Sequence, residues 1–551
     1  PRWARAGGMF KCFKGSAEEE GDGPPGELDL ECVSWNLAAI NNNPFEYYVT
    51  LENEPGYEQL MRAVEAFIDN PGEGDIPLSS VFTAAMFDRL LIAMAQQGWS
   101  GIDKVADMWR EDFSKRTLIK GFLKDKELGA KRLASMPDRV TNTINTTDGK
   151  VVYRPTVINN YQQEMRDLGS WFDQWYQFMF ATEVSIKGKR GDIKQQKVCE
   201  LLQPIPRSKY PAITEEEEAI SIPLQMLVQA LFDAVLVHIM NACAGPSVNW
   251  HELKLQLCRA LVLNKQDSVL RVLAEYPGYS GADVIFLQEA AGAFVEAFRA
   301  HELLNSRFVL LAPKAIDHVR DQNSVVLVAR SRLADEAQVE EFDVSAALGS
   351  AVPVADGDLA TFAVPLHFGS RTARVVLASF HGDTAGLSSL PVTDAVRRAA
   401  SAGAEGGLPI VMGMDANSQR RQDPKGATLY VGDFVAALSG GGQSDATLAP
   451  LEHSWEGEDT TKWHTTFNAR TFLQPQLNKA VRFEERATSN LTDCHPKDFI
   501  VFSQGSFGIA RHAVRDNTGR GEFVEEMDFP TSTFPSDHAI VSAALRWKSA
   551  L

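Results

Sequence analysis

Pro409-Ile-Val-Met-Gly-Met-Asp-Ala-Asn-Ser418 sets three apolar residues, Ile410, Val411 and Met412, between a Leu-Pro pair and a glycine. Such a run reads as a short buried strand. It delivers Asp415 and Asn417 to its C-terminal edge, and two residues apart on extended backbone their side chains share a face. A carboxylate beside an amide at a strand end holds a water or a metal-bound phosphate oxygen. Asp-x-Asn is also ordinary turn chemistry, so the weight of the reading comes from recurrence of the same design along the chain.

Outward from that stretch, other strands also carry polar residues at their ends. Residues 28–36 alternate as a strand and end on Trp35-Asn36. Residues 284–287 are a buried run ending in Gln288-Glu289, and 375–380 another ending at His381. Phe499-Ile-Val-Phe502 follows Lys497-Asp498, and the last strand, 539–547, follows Pro535-Ser-Asp537-His538. Residues 322–330 and 361–366 read as further strands. From about residue 52 to 279 the apolar period becomes helical, with Ser79-Ser80 as a helix cap and an aromatic stripe from Trp171 to Phe180. The most apolar run, 222–244, is broken by Gln225, Gln229, Asp233 and His238, which reads as a buried helix and not a membrane span.

The pattern predicts an α/β fold, a four-layer sandwich of two packed β-sheets flanked by helices, with a large all-α insertion. Residues 1–27, rich in Gly, Pro and Glu, read as a disordered tail; 28–50 and 280–551 form the sandwich, and 51–279 the helical insertion. The 551 residues are 44% hydrophobic and 23% charged, ordinary globular values. A net charge of −18 excludes binding nucleic acid by bulk electrostatics but leaves room for a local basic cleft. The six cysteines show neither metal-ligand spacing nor a disulfide framework, as expected of reduced thiols in a cytoplasmic or nuclear setting.

Ser-Trp-Asn36, Phe-Leu-Gln-Glu289, Ser-Phe-His381, Gly-Met-Asp415-Ala-Asn417, Pro-Lys-Asp498-Phe-Ile and Pro-Ser-Asp537-His538, in that order, resemble the motifs of the endonuclease/exonuclease/phosphatase superfamily, the DNase I-like phosphoesterases. The resemblance covers about residues 28–50 and 281–548. It implies Mg²⁺, with Mn²⁺ as a substitute, held by Glu289 with Asn36 and Asp537. Hard oxygen donors of this kind suit such a cation. It further implies that Asp415 activates water, that Asn417 and Asn36 bind the phosphate, and that Asp498 fixes the tautomer of His538 beside the scissile group. His381 would donate to an oxygen where negative charge builds.

Two departures stand out. Met414 separates the family's usual Gly-Asp pair, and Leu37-Ala-Ala-Ile40 follows Asn36 where many relatives have an extra acidic ligand, which leaves a second metal without an obvious holder. Residues 463–479 fall where the family places a substrate loop, so Asn468 and Arg470 are expected to meet phosphate or sugar and Phe472 to stack on a base. The expected substrate is a phosphodiester of RNA or a nucleotide. The alternatives are a phosphomonoester or lipid head group, and a non-catalytic scaffold using the insertion. The insertion is expected to offer a phosphorylated substrate a basic face of Lys115, Arg116, Lys120, Lys187, Lys189 and Arg190, and separately to serve as the surface for a protein partner.

Overall fold

A computed structural model describes residues 26–548, apart from 189–191, 247, 319, 350–351, 353, 403–406 and 441–447. The tail expected over 1–27 lies almost wholly outside the described residues, as do Lys189 and Arg190. The strands begin with β1 (Asp29–Asn36), followed by two hairpins, β2 (Thr143–Asn145) with β3 (Val151–Tyr153) and β4 (Glu183–Lys187) with β5 (Ile193–Lys197). Then come β6 (Val284–Ala290), β7 (Phe308–Leu311), β8 (Asn323–Ala329), β9 (Glu340–Glu341), β10 (Leu359–Phe368) and β11 (Arg371–His381). The last are β12 (Ile410–Asp415), β13 (Leu451–His453), β14 (Asp498–Ser503), β15 (Phe507–Asp516) and β16 (Ile540–Trp547).

Among the described residues the long strands form two six-stranded sheets, ordered β15-β16-β1-β6-β8-β7 and β13-β14-β12-β11-β10-β9. Every neighbouring pair is antiparallel except β1 with β6 and β11 with β12. Each sheet therefore carries one parallel pair near its middle. Val284, Phe286, Val326, Val364, Val376 and Ile500 fill the core between the sheets. Gly413 of β12 lets them approach, because a Cβ there would lie 2.4 Å from the Cβ of Phe286. Helices Lys265–Glu275, Gly292–Ala300 and Glu302–Arg307 cover the outer face of the first sheet. Ser389–Ala402 and Val431–Leu438 cover the second, completing four layers.

A separate core gathers the helices between residues 55 and 257 around Trp171, Phe172 and Trp175, so the aromatic stripe is packing. Helix Ser221–Ala244 is long and apolar enough to cross a membrane, but 89% of its apolar window is buried inside the protein. Its Asp233 forms an ion pair with the fully buried Arg154, which also holds Asp138. Thr83, not Ser79 or Ser80, caps helix Ala84–Gln96, accepting from the N–H of Met86. The two hairpins break the helical run. The first turns at Asp148-Gly149, where Gly149 has φ +80, a hairpin signal that the sequence does carry. Of the expected basic face, Arg116 is already engaged by Asp112 and Asp125. Cys32, Cys199, Cys243, Cys258 and Cys494 are free thiols.

Candidate active site

The C-terminal ends of the two parallel pairs meet across the sandwich. Polar residues one or two positions before each end stitch the sheets together there. Ser379 of β11 donates to the carbonyl of Leu287 on β6 (2.9 Å), and the Gln288 amide donates to Ser379 Oγ (3.0 Å). The next residues along, Glu289, His381 and Asp415, turn into one cavity of about 840 Å³, where Asn417, Asp537, His538 and Arg470 also stand, while Asn36 is fully buried just behind its wall, bonded to Glu289 and Asp415.

Asn36 is the hinge of the cluster. Its Nδ2 donates to Glu289 Oε1 (3.0 Å) and to Asp415 Oδ2 (2.9 Å), and its Oδ1 accepts from the N–H of Ala38 (2.8 Å). Glu289 reaches the cavity because β6 slips register against β8 between Leu287 and Ala290, and its φ of +53 rotates the side chain out of the sheet. Its Oε2 accepts from the N–H of Ala39 (2.7 Å) and from Gln322 (3.1 Å). His381 Nε2 lies 3.1 Å from Glu289 Oε1 and 3.8 Å from Asp415 Oδ2, with Nδ1 3.5 Å from Asp358. Burial alone would lower the pKa of His381, but Glu289, Asp358 and Asp415 together raise it well above the ordinary histidine value. Burial would likewise push the Glu289 carboxyl up; the charge and hydrogen bond of His381, with those of Asn36 and Ala39, hold it well below the usual range.

On the opposite wall His538 Nδ1 is 2.9 Å from Asp498 Oδ2, and its Nε2 is 3.7 Å from Asp415 Oδ2. Burial opposes its charge, yet Asp498, Asp415 and Asp537 outweigh that and push its pKa up to about 10. The Pro535-Ser-Asp-His538 loop is pinned to β1: Ser536 Oγ donates to the Asn36 carbonyl (2.6 Å), and the Trp35 indole donates to the His538 carbonyl (3.0 Å). Burial also raises the Asp415 carboxyl, with Asp498 adding to it and His538 opposing.

Asp415 and Asn417 both face the cavity, but not by strand alternation. The strand stops at Asp415, Asn417 sits at φ +48, and its N–H donates to Asp415 Oδ1 (2.8 Å), so the turn chemistry and the site are one structure. The Asn417 amide also donates to the Gly382 carbonyl (2.9 Å). Asp498 does not pair with Lys497, which bonds Asp493 instead (2.7 Å). Asp537 stands on the cavity wall outside the two tight groups, Glu289–His381–Asp415 and Asp415–Asp498–His538.

Of the expected substrate loop, Arg470 faces the cavity, tied to Glu46 and lying over the Tyr47 ring at 5.2 Å. Asn468 does not line it. Its backbone bonds Asp493 in both directions at 2.9 Å, which draws the side chain inward to 3% exposure. Phe472 is core of the helical block and not a stacking platform. Sequence reasoning missed Asp358, Gln322, Thr465 and Lys265. Thr465, which donates to Asp498, sits in the expected substrate loop, and Gln322 opens a stretch read only as a strand.

Residues 75–255 match the family model of a domain of unknown function, DUF8234. No curated protein sequence matches the chain. Among solved structures, D. rerio TDP2 complexed with a single-strand DNA product aligns at 13% identity and TM-score 0.32, covering 52% of this chain and 94% of its own. ANGEL2, described as a 2′,3′-cyclic phosphatase, aligns at 15% identity and TM-score 0.33, covering 52% and 86%. The human Nocturnin catalytic domain with bound sulfate aligns at 11% identity and TM-score 0.29, covering 51% and 87%. These are similarities of about half of this chain to most of each of the others.

Proposed function

We propose that this protein is a divalent-cation-dependent phosphodiesterase acting on RNA or nucleotide esters. The observation that carries the reading is the convergence of Glu289, Asp415 and the Asp498–His538 pair on one cavity from four separate strand ends. The donor set fits a hard cation. Glu289 presents a carboxylate kept ionised, Asn36 stands beside it, and Asp537 adds a second carboxylate lining the same cavity. When bound there, Mg²⁺ supplies Lewis-acid neutralisation of the phosphate charge.

The remaining chemistry belongs to the chain. Asp415, whose carboxyl burial makes a better proton acceptor than an ordinary aspartate, takes the proton of an attacking water. Asn36 fixes the Asp415 oxygen by its 2.9 Å bond, so the acceptor is aimed before substrate arrives. His538 is charged at neutral pH and presents its Nε2–H to a phosphoryl oxygen, while Asp498 keeps the ring in that orientation through Nδ1. The Asn417 amide keeps one N–H free for a non-bridging oxygen after its bond to Gly382.

The test is a panel of short RNA, short DNA, nucleotides, inositol phosphates and sphingomyelin, assayed with Mg²⁺ and then with EDTA. The expected result is EDTA-sensitive release of product from RNA or nucleotides, lowered about 10²–10⁴-fold in His538→Ala. Absence of metal-dependent turnover on every member would sink the assignment.

A further inference from the structure

Four lysine and arginine side chains stand on the cavity wall, and three are already matched with acids. Arg320 bonds Asp358 at 3.0 Å, Lys497 bonds Asp493 at 2.7 Å, and Arg470 is held by Glu46. Lys265 is different. It is 5% exposed, and among the described residues it makes no ion pair. Its ammonium has a single long hydrogen bond, 3.4 Å to the carbonyl of Ala39. An ammonium carries three donors, so two point into space that only a ligand or water can fill. Keeping an unpaired cation out of bulk water costs several kcal/mol.

The placement is built by the fold. Residues Arg259–Leu263 form a π-helical turn, a wider turn often found at functional sites, and it sets Leu261 and Lys265 on the cavity together. The helix that follows, Lys265–Glu275, buries Val269, Leu270, Val272 and Leu273 against the first sheet, which makes a rigid mount for the lysine. The Ala39 peptide that accepts from Lys265 through its carbonyl donates through its N–H to Glu289 Oε2 at 2.7 Å. One amide unit thus separates the ammonium from the principal carboxylate. Burial pulls the lysine pKa down to about 8, with Asp537 and Glu289 resisting, which leaves it mainly charged at neutral pH. Among the described residues, Asp537 and Glu289 are the acids that offset the charge of Lys265, and in serving a divalent cation they would leave that charge to an anion brought by the ligand.

We propose that Lys265 is a substrate-binding residue whose ammonium takes a non-bridging oxygen of a substrate phosphate, and this rests on the phosphoesterase reading of the same cavity. The lysine comes from the helical end of the segment between β1 and β6, not from any strand of the sandwich. It makes that segment a direct contributor to substrate selection, favouring esters that bring a phosphate oxygen to this wall.

The experiment titrates inorganic phosphate into the 551-residue chain in buffer containing Mg²⁺ by calorimetry, for wild type, Lys265→Met and Lys265→Gln. Melting curves in phosphate-free buffer confirm that each variant is folded, and a Mn²⁺ titration confirms that cation binding is not weakened. Lys265→Met is expected to bind phosphate at least about tenfold more weakly, with Lys265→Gln between it and wild type. In turnover, the loss is expected mainly in KM. Equal phosphate affinity in wild type and a folded Lys265→Met, or no phosphate binding by wild type, overturns the proposal. Weakened phosphate binding with no turnover on the substrate panel keeps the Lys265 site and removes the phosphoesterase reading. Turnover by Lys265→Met at wild-type KM does the reverse.

Discussion

Glu289 holds its carboxylate on a left-handed backbone, φ +53, and Ala38 and Asn417, both on the cavity wall, share that region at φ +56 and +48. Each such residue costs about 1–3 kcal/mol and persists only where surrounding contacts fix it. Here the contacts are the Ala38, Ala39 and Asn417 N–H groups, all donating to side chains of Asn36, Glu289 or Asp415. The buried His538–Asp498 pair gives a pH signature. Because the folded pKa of His538 is raised from 6.5 to about 10, the pair contributes stability that is complete below about pH 6.5 and is lost as pH rises toward 10. In EDTA, the wild-type melting temperature should fall across that window, and Asp498→Asn should flatten the fall. Identical profiles would show that the pair carries no linkage. At this scale the order of Asn36, Glu289, His381, Asp415 and His538 was legible, because each ends or precedes an apolar run. Lys265 was not: it lies in a stretch of ordinary helical period, and only three-dimensional packing brings it to the Ala39 carbonyl.

The bulge in β6 and the stop of β12 at Asp415 decide where the acids point, and neither has a sequence mark as plain as its neighbouring strand. Alternation predicts which residues share a sheet face; a register slip of one residue reverses that, and Glu289 depends on the slip. Gly413 is the element-scale counterpart, a residue whose missing side chain allows β12 to pass Phe286. Gly413→Ala would drive a Cβ to 2.4 Å from the Phe286 Cβ in a filled core. Such overpacking costs about 1–3 kcal/mol, and a lower urea midpoint, by that loss divided by the m-value, is expected. An unchanged midpoint would mean the sheets can part without penalty. The hairpins β2–β3 and β4–β5 were lost in a helical reading because strands of three and five residues are too short to establish a period of two.

Across the whole molecule, two bodies of packing serve one cavity. The sandwich supplies the acids and His538, while the helical core around Trp171 and Trp175 has its own polar keystone in Arg154, Asp233 and Asp138. Asp233 also accepts from Thr156 and from the Trp175 indole. Asp233→Ala leaves Arg154 buried without its main partner, and a loss of about 3–5 kcal/mol is expected on chemical denaturation. If stability is unchanged, the network is not what fixes these helices. The loop after β1 joins that same core through Phe45 and Tyr48, and Asn43 and Tyr48 are bonded to Leu473 and Ala469 of the loop that carries Arg470. The doorway and the reaction chamber therefore have different owners. A descendant that rebuilt its helices would keep the same hydrolytic machinery behind a differently shaped entrance, and its choice of substrate could drift while its chemistry stood still.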